Sequence, residues 1–457
     1  MSSKLRMVVL AIAALIVGAV VLTGCGGDDD GGGSGQAATG GKIEKGATVK
    51  LWIMPNGPNP QEDMEKAVKP FTDKTGVNVD VEVVDWGVQL DRIRNAAVSG
   101  EGPDVTQAGT TQVPFFAALG GFEDLSGRVA DIGGQEAYPE GLWKTTQVVG
   151  QDGTWAVPWF TEARVLYYRK DVLEKAGVDP ATAFADWDSF RNTLQTIKQE
   201  VPGVEPFGSP GKKAFDLVHH VMPFVWDAGG AELSEDSKKS TINSPEAKQG
   251  VTFVGDLIKD GLYSASELER DGTQVENQFK GGKLAVWMGG PWVLGSVKRS
   301  DDKNWAPAAR KNVGVAPMPK GPTGEAYTFV GGSNLMMFKS SEHKNEAWEL
   351  IKFLSQDQVQ TDYAAIQGMF PARVEPQQAY GESNGDDFKA VYEAIQQGRT
   401  YAPVPQWAQI ENAYKGRFGA ILDSAAGKGS SYSPETVQKQ LDEAAKEADG
   451  LLAQSAG

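Results

Sequence analysis

The chain has 457 residues, 40% of them hydrophobic and 12 of them tryptophan, and its formal net charge is −16. Charges of both signs are spread along the whole length, which argues against a nucleic-acid partner because nucleic acids select basic patches. Some 415 residues follow the N-terminal segment. That is too many for one ordinary core, so two or more large domains are expected.

The N-terminal segment is typical of an export signal. Lys4 and Arg6 precede an apolar run over 7–22, which is short for a membrane span and suits a secretory signal. The letters LTGC, ending at Cys25, resemble a bacterial lipobox, at whose cysteine a lipid such as palmitate is attached. We therefore expect a signal peptide over 1–24 and a lipidated Cys25 that begins a flexible Gly/Asp linker over 25–45. The alternative is a plain signal peptide with an incidental cysteine.

Strands and helices then alternate. The pattern predicts strands over 48–54, 77–83 and 103–109, a helix from Pro60 to the residue before Gly76, and a helix over 90–99. Asn59 and Glu62 are placed for a capping box. This βαβαβ order predicts a parallel sheet, whose ligand loops would be 55–59, 86–89 and 109–114.

An apolar run over 155–168 is interrupted by Thr161-Glu162-Ala163-Arg164 and predicts a strand that passes between two domains. Helical patterns follow over 186–198, 245–260 and 342–355. Trp187, Trp226 and Trp348 lie in helical patterns and are expected in the core.

Signs of catalysis are few. The chain has 3 histidines and one cysteine, so no zinc-type cluster is expected, and we predict no metal and no cofactor. The GxSxG, GxGxxG and GxxxxGK[ST] patterns do not occur. A glycosidase needs only two carboxylates, and the 60 acidic residues leave a secreted glycoside hydrolase open as an alternative.

Aromatic residues at turns are more informative. Trp292 follows Gly289-Gly290-Pro291 at the end of a strand-like run, which indicates a ring that faces a cleft; the alternative is a core position. Trp159 and Trp407 also lie beside prolines, and either could equally be packing residues.

Five stretches in order carry a resemblance to a known family. They are GEGPDVTQAGTTQVPFFAALGGFEDL, VPWFTEARVLYYRKDVLEKAG, GKLAVWMGGPW, VGVAPMPKGP with FVGGSNLMMF, and GMFPARVE. The chain resembles the extracellular solute-binding proteins of carbohydrate ABC importers, the group that includes the maltose-binding protein. The resemblance implies the type II periplasmic-binding-protein fold, with two α/β lobes, three crossings and a ligand held when the lobes close. The implied lobes are 46–158 with 318–368, and 159–317 with 369–457.

The resemblance also implies ligand contacts. Thr111 occupies a position where maltose-type members carry an aspartate, so the hydroxyl-binding pattern differs here. Glu162 matches an acidic contact past the first crossing, and Trp292 an aromatic platform. The full set of implied or candidate contacts is Asn56, Thr111, Trp159, Glu162, Trp292, Gly331, Gly332, Arg373 and Trp407.

The implied function is that of a binding protein and not an enzyme. It would capture a di- or oligosaccharide, with an α-glucoside such as trehalose or maltose as the leading candidate, and deliver it to the transmembrane subunits of an ABC permease. A monomer held outside the cytoplasm by its lipid, on a Gram-positive cell surface, is expected. A receptor for another small polar solute, such as a glycerol phosphate ester, is the alternative within the class.

Overall fold

Two sheets organise the protein, whose computed structural model describes residues 41–454. The first sheet has the order β10-β4-β9-β3-β1-β2, and the second has the order β6-β7-β5-β8. The strands of the first sheet are β1 (Thr48–Ile53), β2 (Asn78–Val83), β3 (Val105–Gly109), β4 (Val157–Ala163), β9 (Val330–Met337) and β10 (Phe370–Pro371). Those of the second are β5 (Val165–Arg169), β6 (Glu205–Gly208), β7 (Leu284–Gly289) and β8 (Val313–Ala316).

Helices pack against both sheets. They are α1 (Pro60–Thr75), α2 (Gln89–Ser99), α3 (Val113–Ala118), α4 (Glu140–Lys144), α5 (Lys170–Ala176), α6 (Pro180–Ala183), α7 (Trp187–Glu200), α8 (Leu217–Asp227), α9 (Pro245–Lys259), α10 (Gly272–Lys280), α11 (Trp292–Lys298), α12 (Pro307–Lys311), α13 (Lys344–Leu354), α14 (Asp357–Gln367), α15 (Val374–Ser383), α16 (Asp386–Gln397), α17 (Trp407–Ala425) and α18 (Pro434–Ala453). We call the first sheet with α1–α4, α13 and α14 the first lobe. The second sheet with α5–α12, α17 and α18 is the second lobe.

The chain begins as the sequence predicts. Strand β1 pairs in parallel with β2 and β3, which confirms the βαβαβ start. Helix α1 has proline at its first position and ends at Gly76, whose φ of +75° glycine adopts without strain. The predicted capping box is wrong, because the Asn59 side chain makes no cap hydrogen bond and Glu62 instead pairs with Lys66 at 2.6 Å.

The apolar run over 155–168 forms two strands. Strand β4 ends at Ala163 in the first sheet, and β5 begins at Val165 in the second sheet, so the chain changes sheets at Arg164. Both strands are buried along their whole length. The lobe limits given above stay a prediction.

Large aromatic side chains fill the cores. Trp187, Trp226 and Trp348 are buried, as predicted from their helical positions. Within residues 41–454, the helices are all too short or too polar to cross a membrane. The predicted signal peptide, Cys25 and most of the linker lie outside the described residues.

Candidate functional site

A buried cluster of charged side chains surrounds Arg164, at the point where the chain changes sheets. Its guanidinium donates to Glu162 of β4 at 2.5 Å and to Asp216, which directly precedes α8, at 3.0 Å. His220 Nε2 lies 3.2 Å from the same Asp216 oxygen. Arg164 is 3% exposed and its partners are also buried. Burying charges is costly unless they are paired, so this arrangement marks a candidate functional site.

The surroundings set the charges of the cluster. Burial raises the pKa of Glu162, although Arg164 opposes the shift. Burial acts on Asp216 in the same direction, but His220 and Arg164 outweigh it and lower the pKa of that carboxyl. Burial also lowers the pKa of His219 well below its usual range, so that ring is neutral near pH 7. The carboxylates therefore outnumber the cations.

Glu411 extends this cluster to the first lobe. It lies in α17, and its Oε2 accepts a hydrogen bond of 3.4 Å from the hydroxyl of Thr111, in the loop between β3 and α3. The other oxygen, Oε1, lies 3.4 Å from His219 Nδ1. Burial raises the pKa of Glu411 to about 8. A carboxyl group of the second lobe thus touches the loop that the sequence identifies as a ligand loop.

Aromatic rings line the same region. The Arg164 guanidinium lies 4.9 Å above the ring of Trp292, whose indole nitrogen donates to Glu276 at 2.7 Å. Tyr401 stacks on Trp407 with centroids 4.3 Å apart, and Phe329 stacks on His219 at 3.8 Å. Flat rigid rings beside charged groups suit a ligand that has both apolar faces and polar edges.

A small cavity of about 10 Å³ lies between the lobes, which is room for about one water molecule. Its lining comes from the β3–α3 loop and the start of α3, the residue after α4, the start of β9 with the residue before it, and the segment that leads into α17: Thr110, Thr111, Pro114, Thr145, Phe329, Val330, Thr400, Tyr401, Ala402, Pro403 and Trp407. Trp407 and Glu411 are one helical turn apart and therefore share a face of α17.

Several buried polar atoms of the site have no hydrogen-bond partner within the protein. They are Arg164 Nε, Asp216 Oδ1, His220 Nδ1, Trp407 Nε1 and Glu411 Oε1. Buried polar groups are normally paired, and each exception requires an explanation. Donors and acceptors in one place, beside aromatic rings, are what a polyhydroxylated ligand requires.

Further contacts join the lobes at the rim. Trp86 stacks on Phe215, which is 40% exposed, with ring centroids 5.4 Å apart. The Trp86 indole nitrogen donates to the carbonyl of Pro55 and so fixes the ring on the first lobe.

The structure brings together five of the sequence-predicted residues. Thr111, Glu162, Trp292 and Trp407 contact the cluster or the cavity, and Gly331 pairs with Glu162 across β4 and β9. Gly332, the next residue, pairs with Thr161.

The other predicted residues lie apart. Asn56 bonds to Gln107 and Tyr363, and Trp159 stacks on Tyr363 inside the first lobe. Arg373 pairs with Asp357 and donates to the carbonyl of Ile132. Cys25 is outside the described residues. Whether any of these residues contacts a ligand stays a prediction.

The sequence reading missed Glu411, Asp216 and His219. Glu411 carries one usable signal, because it follows the predicted aromatic Trp407 by four positions in a helical stretch. Asp216 and His219 carry no such signal.

Other places are weaker candidates. A depression of about 500 Å³ on the outer side of α18 is lined by Lys248, Glu435, Gln438, Lys439, Asp442, Glu443 and Lys446, without an aromatic ring. In the described part of the chain, His, Cys, Asp and Glu form no group of three or more that could hold a metal ion.

The comparisons with known proteins agree with this architecture. The family described as bacterial extracellular solute-binding protein matches residues 57–361. The diacetylchitobiose binding protein DasA of Streptomyces coelicolor is 28% identical over 372 residues, 80% of this chain and 82% of that protein. The sugar-binding protein MalE of Xanthomonas citri is 26% identical, with a TM-score of 0.71 over 90% of this chain and 98% of that one. An ABC transporter solute-binding protein of Thermotoga lettingae, bound with α-D-tagatose, is 24% identical, with a TM-score of 0.78 over 89% and 100%.

Proposed function

Because the chain belongs to the bacterial extracellular solute-binding proteins, we propose that it captures a di- or oligosaccharide between its two lobes and delivers it to an ABC permease. It is a sugar-binding component of such a transporter, acts outside the cytoplasm and is not an enzyme. The observation that carries the proposal is the row of unpartnered buried polar atoms beside aromatic rings, where Thr111 of one lobe meets Glu411 of the other.

The chemistry of a saccharide matches these groups. Sugar rings present C–H groups on their faces, which the rings of Trp292 and Trp407 can cover. Their hydroxyls lie at the edge, where Asp216, whose carboxyl group is ionised because its pKa is lowered, can accept charge-assisted hydrogen bonds. Such bonds to a charged acceptor are stronger than bonds between neutral groups.

The charge of the site favours an uncharged ligand. The Nη atoms of Arg164 are already bonded to Glu162 and Asp216. A phosphate or a uronate would therefore meet carboxylates without a free cation to pair with. This disfavours a glycerol phosphate ester and favours a neutral sugar.

The relatives indicate the class of the ligand but do not identify the sugar. DasA of Streptomyces coelicolor is named for diacetylchitobiose, and the Xanthomonas citri protein is a sugar-binding MalE. We keep an α-glucoside such as maltose or trehalose as the leading candidate. Thr111 in place of an acidic residue is the main reason why the choice stays open.

Calorimetric titration tests the proposal. The panel contains maltose, maltotriose, trehalose, N,N′-diacetylchitobiose, glucuronic acid and glycerophosphoglycerol. We expect at least one neutral saccharide to bind with a dissociation constant near 1 μM, which is a binding free energy of about −8 kcal/mol. We expect neither anion to bind. Binding of an anion alone would contradict the assigned class. Chromatography of the recovered sugar provides the control, because a binding protein leaves it intact.

We also propose that the protein is attached to the cell membrane. A lipid on Cys25 would hold a monomer on the outer face of the cell membrane, as on a Gram-positive surface. The two proposed lobes are 46–158 with 318–368, and 159–317 with 369–457. Cys25→Ser should move the protein from the membrane fraction into the medium and leave sugar affinity unchanged, because the tether and the cleft are separate parts of the chain. Retention in the membrane fraction would contradict the anchor.

A further inference from the structure

We propose that bringing the two lobes together takes up one proton, which Glu411 holds while Thr111 covers it. The inference deepens the proposed function and rests on its premise that the lobes separate and close. It does not depend on which sugar, or whether any sugar, is bound.

Glu411 is buried in α17 of the second lobe, and Thr111 of the first lobe covers one of its carboxyl oxygens. Glu411 is 8% exposed, and its hydrogen bond with Thr111 joins two residues that are 300 positions apart in the sequence. Thr111 belongs to the first lobe and Glu411 to the second, so separating the lobes removes this cover and admits water. Water stabilises the ionised form of a carboxyl group, whereas burial favours the neutral form.

The groups that face Glu411 from each packed element leave it without a positive partner. From α8 come His219 at 3.4 Å and His220, both with pKa values lowered by burial. The segment before α8 contributes Asp216, whose negative charge opposes ionisation of Glu411. The remaining charged or titratable groups are Arg164 at the sheet crossing, Tyr401 before α17 and Lys415 on α17 itself.

None of these groups supplies a free cation at contact distance. Arg164 is bonded to Glu162 and Asp216, and Lys415 acts on Glu411 only as a weak, more distant charge. In residues 41–454, no lysine or arginine forms an ion pair with Glu411. Arg164 thus pairs with two other carboxyl groups and Glu411 has no cation beside it, so a proton is the simplest way to neutralise Glu411.

The direction of the linkage follows from two pKa values. With the lobes together, burial raises the pKa of Glu411 from 4.5 to about 8 and outweighs the hydrogen bond from Thr111, which acts in the opposite direction. With the lobes apart, we expect a value close to 4.5. Between pH 4.5 and 8 the separated form is ionised and the joined form is protonated, so closing consumes a proton. Lowering the pH by one unit in this window should raise the closed-to-open ratio by up to about tenfold. Outside the window Glu411 should make no contribution to the pH dependence of the ratio.

The test locks the lobes together without a ligand. In the full chain carrying Cys25→Ser, Trp86→Cys and Phe215→Cys are joined by a short bis-maleimide, because these rings stack across the rim. Carbon-13 spectra of protein labelled at the glutamate carboxyl carbons are then recorded from pH 4 to 9. The resonance that disappears in Glu411→Gln identifies Glu411. Glu393, whose side chain is 59% exposed, serves as the matched control and is identified in the same way.

We expect the Glu411 resonance to titrate near pH 8 in the cross-linked protein and at least two units lower before cross-linking. The Glu393 resonance should be the same in both. A Glu411 value near 4.5 in the cross-linked protein, or equal values in the two forms, would overturn the proposal. Failure of the cross-link to form would also contradict it, because the contact between the lobes would then be absent. A sugar panel without binding would refute the proposed function and leave this result intact.

Discussion

Arg164 is the residue on which the buried cluster depends. It bonds to a carboxylate of β4 and to one that directly precedes α8, and it lies 4.9 Å from the ring of Trp292. The two carboxylates approach one another only because the guanidinium lies between them. Removing it leaves Glu162 buried without its cation and Asp216 with His220 alone, which costs more than the pair contributes when intact.

The first prediction concerns Arg164→Leu. We expect a loss of about 3–5 kcal/mol in the free energy of unfolding at pH 7, measured by urea denaturation. Part of the loss should be recovered at pH 5, because the unpaired carboxyl groups take up protons in the folded variant. Lys66→Ala removes an exposed i,i+4 ion pair on α1 and should change little. Equal losses in the free energy of unfolding for the two variants would contradict a buried cluster that depends on Arg164.

The second prediction concerns Trp292→Ala. A central aromatic anchor contributes about 2 kcal/mol or more to binding, so the affinity for the panel sugar should fall by at least about thirtyfold. Trp348, which is 1% exposed in the first lobe, is the control. Trp348→Ala should lower the melting temperature of the unliganded protein more and the affinity of the folded protein less. If Trp292→Ala instead lowers the melting temperature more and the affinity less than Trp348→Ala, Trp292 is a core residue.

At the scale of elements, β4 and β9 form the pair that carries the chain between the lobes. Gly332 of β9 has a φ of +126°, and a Cβ built there would lie 2.2 Å from the carbonyl oxygen of Phe160. Only glycine allows the two backbones to come this close. The approach places Gly331 opposite Glu162 at the edge of the cluster.

The third prediction compares two glycines. Gly332→Ala combines an unfavourable φ with a backbone clash, whereas Gly324, with φ +83° and no atom within 4 Å of a built Cβ, has only the unfavourable φ. We expect Gly332→Ala to destabilise the protein by about 1–3 kcal/mol more than Gly324→Ala, since overpacking costs that much. Urea denaturation of both variants measures the difference, and equal losses would argue against the close approach.

The elements that the sequence predicted well depend on local signals. The first two strands alternate apolar residues, and Gly76 and Gly100 end the helices with φ near +75°. The capping box failed because a local motif does not fix a side chain that has another partner: Glu62 pairs with Lys66. The apolar run over 155–168 was predicted as one strand between two domains, whereas the structure forms β4 and β5 there and changes sheets at Arg164.

The part of the site that the sequence did not reveal depends on distant contacts. Thr111 and Glu411 are 300 positions apart, and Arg164 and Asp216 are 52 apart. No periodicity links such pairs, because only the packing of α8 and α17 brings them to the sheet crossing. A resemblance to a family suggested Thr111 and Glu162, but the partner that each one contacts required the three-dimensional arrangement.

At the scale of the whole molecule, the lobes touch at separate places around the cleft. Thr111 meets Glu411 within it, and Trp86 stacks on Phe215 at its rim. Arg299 of the second lobe forms an ion pair of 2.7 Å with Asp63 of α1. These three contacts are small, so each can break without disturbing the core of either lobe. A buried apolar cluster also joins the lobes and includes Leu294 of the second lobe with Ala364 and Phe370 of the first. The three small contacts suit lobes that open and close about their crossings.

The last prediction follows from this division of the site between the lobes. A sugar that touches both lobes stabilises only the joined form fully, so it should shift the population toward that form. Small-angle scattering should show a smaller radius of gyration at a saturating concentration of the panel sugar that binds most tightly. A panel sugar without heat of binding is the control and should leave the radius unchanged. Glu411→Gln should weaken the pH dependence of this shift between pH 5 and 8, because glutamine has no proton to exchange. If the radius stays constant when calorimetry shows full binding, the sugar lies on one lobe alone, and the cluster around Arg164 serves only to hold the sheet crossing together.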